Sequence, residues 1–152
     1  MKSSKTLGFT WQDKEIYPII LENEQMQISL TNLGATLTSV FMPARDGSRS
    51  NVVLNNDRLE DYLEGEFNLG STISRVAGRI NQGKFTTANE TFYLDKIDGN
   101  TDNHIHGGQE GLNKKVFEIN DLKVQANQAT VELYCQCLNM ENGYPGNLDV
   151  LG

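Results

Sequence analysis

The sequence predicts an all-β, antiparallel fold, a β-sandwich or barrel. Apolar and polar residues alternate through several short stretches, the period-2 mark of a strand with one buried face. Turn-forming residues separate those stretches, as in "PARDG" (43–47) and "NGYPGN" (142–147), where Pro fixes φ and Gly relieves it. Only one short segment shows helical spacing. No internal repeat, low-complexity tract or linker divides the 152 residues, so the chain is one domain or part of one.

The elements follow in order. "EQMQISLT" (24–31) sets Met26, Ile28 and Leu30 against polar neighbours, and "LGATLTSVF" (33–41) continues the pattern with Leu33, Ala35, Leu37 and Phe41. "NVVLN" (51–55) predicts a short, more buried run. In "NDRLEDYLEGE" (56–66), Leu59, Tyr62 and Leu63 fall at i, i+3 and i+4 behind Asn56 or Asp57 as cap, which predicts a helix of two turns. Further strands are expected in "GKFTTA" (83–88), "TFYL" (91–94), "KVFEIND" (115–121) and "ATVELYCQCL" (129–138). The last places Val131, Leu133, Cys135 and Cys137 on one face. Two strand cysteines at i, i+2 stand about 6.6 Å apart at Cα, near the limit for a disulfide. Small core side chains are the expectation here, and two thiols without further ligands make no zinc site.

Composition excludes some classes of function. Thirteen basic against twenty acidic residues give a net charge of −7, and binding to nucleic acid or to an anionic membrane needs a basic face. No stretch approaches the roughly 18 apolar residues of a membrane span. The opening "MKSSKTLGFTWQDKEI" lacks an apolar h-region, so it makes a poor secretory signal and the cytoplasm is the expected location. At the other end, "NGYPGNLDVLG" turns sharply and begins a strand that stops almost at once. A half-built strand exposes edge hydrogen-bonding groups, so a truncated gene product or a fragment is expected.

Both histidines of the chain, His104 and His106, fall in "NHIHGG" (103–108). Three interpretations compete. Two polar residues at a strand end, one of them partly buried, need no function. Against that stand the clustering itself and the Gly107-Gly108 pair, which lets a backbone approach a ligand closely. A metal site is the second, because His-x-His on a strand aims both rings to one side. With Glu110 four residues on, "HIHGGQE" looks like the first motif of the cupins. That set lacks a further histidine, and an Asp or Glu would have to complete it.

The third rests on the surrounding residues. "SRVAGRINQGKF" (74–85), "IHGG" (105–108) and "GLNKKVF" (111–117) stand in order along the chain. They resemble the G-R-x-A-N-R-I-x-x-G-x-F, L-H-G-G and G-F-x-K-x-x-W blocks of the aldose 1-epimerases, the galactose mutarotase family. Ser74 replaces Gly, Gly78 the usual Asn, Ile105 Leu, and Leu112 and Phe117 the two aromatics. "NLGATLTSVFMPARDG", "NVVLN" and "DYLEG" look like the N-terminal strands of that family, and "ENGYPGNLDV" like its Y-P-G-N-L turn.

The resemblance implies a large antiparallel β-sandwich of the galactose mutarotase type, with residues 1–152 forming the N-terminal half of a single domain. It implies interconversion of the α and β anomers of a free hexose, galactose or glucose, with no metal and no cofactor. A base takes the proton of the anomeric hydroxyl while an acid protonates the ring oxygen, and histidine suits the acid because its ordinary pKa lies near working pH. Arg supplies planar, forked donors for vicinal hydroxyls. Carried over by resemblance, His106 is the catalytic imidazole that contacts the sugar near its ring oxygen, and Arg79 is the sugar-binding guanidinium. His104 falls where the family varies and is expected to be structural or at the surface, while Arg75 supports the site. Gly78 in place of Asn removes one hydroxyl contact. The family's principal acid, a second histidine, and its base, a late glutamate, would lie beyond residue 152. A non-catalytic carbohydrate-binding remnant is the alternative of another class. The expected partner is a small-molecule sugar, with neither nucleic acid nor membrane; oligomeric state and the preferred aldose are not legible.

Overall fold

A computed structural model describes residues 1–65 and 67–152. Its principal sheet is antiparallel and five-stranded. The strands are β1 (Lys2–Lys5), β4 (Pro18–Glu22), β5 (Gln27–Thr31), β6 (Thr36–Pro43) and β7 (Arg49–Asn51), in that spatial order. A hairpin of β2 (Phe9–Trp11) and β3 (Lys14–Ile16) is inserted between β1 and β4. Gln12 and Asp13, both at positive φ, make its two-residue turn, which matches the natural twist of paired strands.

The middle of the chain forms two small ribbons. In one, β8 (Arg79–Ile80) pairs with β11 (His104–Ile105); in the other, β9 (Lys84–Thr87) pairs with β10 (Glu90–Tyr93). A three-stranded antiparallel sheet of β12 (Glu118–Val124), β13 (Ala129–Cys137) and β14 (Leu148–Leu151) closes the sequence.

The core lies between the five-stranded and three-stranded sheets. Alternation in β4 turns Ile19 and Leu21 inward with Leu30 of β5, and they meet Ile119, Leu133, Cys135, Cys137 and Val150. Ile19, Leu33, Leu112 and Phe117 are essentially sealed from solvent, each contributing about 1.5–3 kcal/mol by removal of apolar surface from water. Both cysteines are buried and free, and burial raises their thiol pKa values. One buried polar residue stitches the layers together. Asn32 accepts from the Tyr17 N–H at 2.7 Å and donates to the carbonyls of Glu15 (3.1 Å) and Phe117 (3.2 Å). All the hydrogen-bonding capacity used there is backbone-directed, which fixes where β3, the β5–β6 turn and the start of β12 meet.

Three expectations change. "NVVLN" is not a buried strand: β7 ends at Asn51, and Val52 and Leu54 are 60% and 80% exposed. The cause is local, since the Asn51 side chain accepts from the N–H groups of Val40 and Val53 and turns the chain off the sheet. The predicted two-turn helix is a single turn, α1 (Asp61–Glu64), without a side-chain cap, and its stretch runs on to Glu66, outside the described residues. The strand expected from Lys115 begins at Glu118, because Val116 and Phe117 pair with Leu33 and Asn32 rather than with β13. Among the described residues no helix is long and apolar enough to cross a membrane.

Candidate active site

The β8–β11 ribbon positions the predicted residues. Its antiparallel register sets His104 opposite Ile80 and Ile105 opposite Arg79. One step further, the His106 N–H donates to the Gly78 carbonyl at 3.0 Å, and the Gly78 N–H donates to His106 Nδ1 at 3.2 Å. His106 itself has φ +53°, so the chain leaves the strand there and its ring departs from the i, i+2 alternation expected of His-x-His. The two glycines that follow serve the protein's own packing. A Cβ on Gly107 would overlap the Ser74 carbonyl oxygen, and one on Gly108 would lie 2.6 Å from the Asn142 side chain. Close approach is the right reason for both glycines, but the approaching group is the chain itself rather than a ligand.

The two imidazoles have opposite surroundings. In His106, Nδ1 accepts a hydrogen bond from a backbone N–H, so the neutral ring carries its own proton on Nε2. The ring is half-buried, and nothing among the described residues bonds Nε2. His104 is fully buried, with Nδ1 2.8 Å from the Asp95 carbonyl and Nε2 2.8 Å from the Tyr144 hydroxyl. A carbonyl only accepts, so His104 holds its proton on Nδ1, and Tyr144 donates to Nε2. The Tyr144 ring stands edge-on to it at 5.2 Å, and burial raises the pKa of the phenol. With both nitrogens engaged, His104 has no lone pair left for a metal ion. Among the described residues no group of three or more His, Cys, Asp or Glu side chains could hold one.

The two arginines also separate. Arg75 donates to the carbonyls of Pro145 (2.8 Å), Gly146 (2.8 Å), Leu138 (3.1 Å) and Cys137 (3.5 Å), and its guanidinium lies 5.6 Å from the Tyr144 ring centre. It fastens the Tyr-Pro-Gly turn to the end of β13. Arg79 is exposed and makes a two-point pair with Asp98, Nε to Oδ2 at 2.6 Å and Nη2 to Oδ1 at 3.1 Å. That fork, helped by the Thr101 hydroxyl, lowers the Asp98 pKa to about 2. A cavity of about 410 Å³ is lined by Trp11, Lys14, Lys114, Lys115 and Tyr134 among others, and contains none of these histidines or arginines.

Sequence reasoning thus named His106 and Arg79 but missed Asp98, Tyr144 and Thr101. Asp98 sits in "DGN" (98–100), a turn signal in which an acidic residue reads as solvated. Its partner lies nineteen positions upstream, and only the ribbon register brings the two together.

Two facing antiparallel sheets, with an imidazole and a guanidinium on one small ribbon, define a β-sandwich class, and comparison with known proteins names its family. The family profile described as aldose 1-epimerase matches residues 17–151; the chain belongs to that family. It is 34% identical over 130 residues to the galactose mutarotase of Bos taurus, covering 86% of this chain and 36% of that protein. Over 126 residues it is 34% identical to the aldose 1-epimerase of Escherichia coli (strain K12), covering 83% and 35%. The crystal structure of galactose 1-epimerase from Lactobacillus acidophilus NCFM matches 99% of this chain and 43% of its own, at 34% identity and a TM-score of 0.87. The chain therefore spans about a third of the length of these two curated relatives.

Proposed function

We propose that the gene product carrying this chain is an aldose 1-epimerase, interconverting the α and β anomers of a free hexose such as galactose or glucose. The observation that carries the proposal is the hydrogen bond from the Gly78 N–H to His106 Nδ1. It leaves the ring proton on Nε2, on the unoccupied side of a half-buried imidazole. That is the form of histidine able to donate a hydrogen bond to a ring oxygen and stabilise the charge that changes there as the ring opens.

Protons and bonds balance across the reaction. A carboxylate takes the proton of the anomeric hydroxyl, C1–O becomes a carbonyl, and the bond from C1 to the ring oxygen breaks. The ring oxygen takes a proton from an imidazolium acid, and His106 Nε2–H donates a hydrogen bond to it. Rotation about C1–C2 and the reverse sequence close the ring on the other face. Arg79 offers N–H donors to neighbouring hydroxyls and holds the ring in register. By family resemblance the base is a glutamate and that acid is a second histidine, both in the part of the relatives' length that this chain does not span. Residues 1–152 are then the N-terminal part of a single sandwich. Net charge −7 and two free, buried cysteines support a cytoplasmic location.

A non-catalytic sugar-binding role is favoured by one observation: the described residues pair no carboxylate with His106. Polarimetry separates the two. Fresh α-galactose should lose its excess rotation faster in proportion to added gene product, and His106→Ala should remove at least about nine-tenths of that acceleration. Saturable galactose binding without any acceleration would support the binding role instead.

A further inference from the structure

Among the described residues Arg79 is held by Asp98 alone, and the carboxylate is the less exposed partner. The Asp98 side chain is 13% exposed, against 61% for Arg79. Around Asp98 the 97–103 loop closes on itself. The Thr101 hydroxyl lies 2.8 Å from Asp98 Oδ2, and the N–H groups of Ile97 and Asp98 both donate to the Asn103 carbonyl at 3.2 Å. The loop is also tied to β8's continuation, since the Gln82 N–H donates to Asn103 Oδ1 at 3.2 Å. A carboxylate bonded by Thr101 and carried on a loop closed by its own backbone bonds has few orientations, and a guanidinium bound to it at two points inherits that restriction. A lysine at position 79 would inherit none of it.

We infer that Asp98 is the positioning residue for Arg79: it holds the Nε/Nη2 edge of the guanidinium and so presents the Nη1 side to two neighbouring hydroxyls of a sugar ring. The inference rests on the epimerase reading and adds a residue to it. Asp98 touches no substrate; it acts through Arg79 by fixing the plane of the fork and leaving three of its five N–H groups without a partner among the described residues. An ion pair that merely fastened β8 to the 97–103 loop would be expected to alter stability without altering the response to sugar.

The test is a double-mutant cycle on the gene product, reading KM and kcat for galactose mutarotation with thermal unfolding recorded alongside. Asp98→Asn keeps the volume but sets an amide N–H against the guanidinium. It should raise KM about fivefold or more and leave kcat within about twofold. Arg79→Ala should raise KM at least as much, and adding Asp98→Asn to it should change KM by less than about twofold, because the group through which Asp98 acts is gone. Asp98→Glu, which restores a carboxylate, should recover part of the loss. If Asp98→Asn fails to fold, Thr101→Val, which removes only the hydroxyl on Oδ2, should raise KM in the same direction by a smaller factor. Wild-type KM in Asp98→Asn (or, where that variant does not fold, in Thr101→Val), with Arg79→Ala impaired, overturns the positioning role and leaves Arg79 as a sugar ligand. Wild-type kinetics in Arg79→Ala overturn the sugar-site reading itself.

Discussion

The Gly78 N–H points at His106 Nδ1 across 3.2 Å while the His106 N–H points back at the Gly78 carbonyl across 3.0 Å. Two bonds between the same pair of residues fix both the place and the tautomer of the imidazole. Gly78 has φ +84° and open space where a Cβ would stand, and both bonds to His106 come from its backbone.

The two histidines should respond differently to replacement. On the epimerase proposal His106 faces the sugar, so His106→Ala should lower the mutarotation rate by at least about tenfold without loss of fold. His104→Ala deletes a fully buried ring and orphans the Tyr144 hydroxyl and the Asp95 carbonyl. It should cost about 2–4 kcal/mol of stability, visible as a lower unfolding temperature, while the folded fraction keeps most of its rate. Equal kinetic damage with unchanged stability would contradict this division.

Gly107→Ala should be far more damaging than Gly47→Ala. Both positions have positive φ, but a Cβ at 47 meets open space and one at 107 meets the Ser74 carbonyl. Backbone strain alone costs about 1 kcal/mol; the overlap should at least double that, and urea midpoints compare the two directly.

Arg75→Lys should destabilise although the charge is kept. The guanidinium reaches four carbonyls at the end of β13 and the Tyr-Pro-Gly turn, and a single ammonium cannot span that fan. With the side chain partly open to water, a loss of about 1–2 kcal/mol is expected. No change in denaturant midpoint would show that the turn is held by other contacts.

Asp98 should leave a mark on acid stability. Its pKa falls from the ordinary 3.8 to about 2, chiefly through the bond from Arg79 and then that from Thr101. Between those values the unfolded chain binds more protons than the folded one, so the contribution is complete above about pH 4 and is lost as pH falls toward 2. The stability difference between the wild type and Asp98→Asn should therefore shrink over that window. A difference that stays constant from pH 5 to pH 2 would mean that the pair does not form in solution.

Much of the fold was legible in the residues. Period-2 alternation located β5, β6 and β13, because half-buried strands must repeat every second residue, and β9 and β10 were expected as further strands. The four N-terminal strands were not assigned, since β1 is all polar, β2 and β3 have three residues each, and β4 is a short apolar run without alternation. "NVVLN" misled because apolar content was taken for burial, whereas the Asn51 side chain decides where the strand stops. His106 and Arg79 came from motif resemblance. Asp98 and Tyr144 did not, because each acts through a partner distant in sequence: nineteen positions in the Asp98–Arg79 pair and forty between Tyr144 and His104.

The most direct measurement is a galactose titration of the gene product carrying 15N in its histidine side chains, with the two signals assigned from the His104 and His106 variants. Without sugar, His106 should show its proton on Nε2 and His104 its proton on Nδ1. Galactose should then shift the His106 Nε2 signal saturably and leave His104 unmoved. A His106 ring with its proton on Nδ1, or one that stays unmoved while galactose is being epimerised, would contradict a catalytic role for His106.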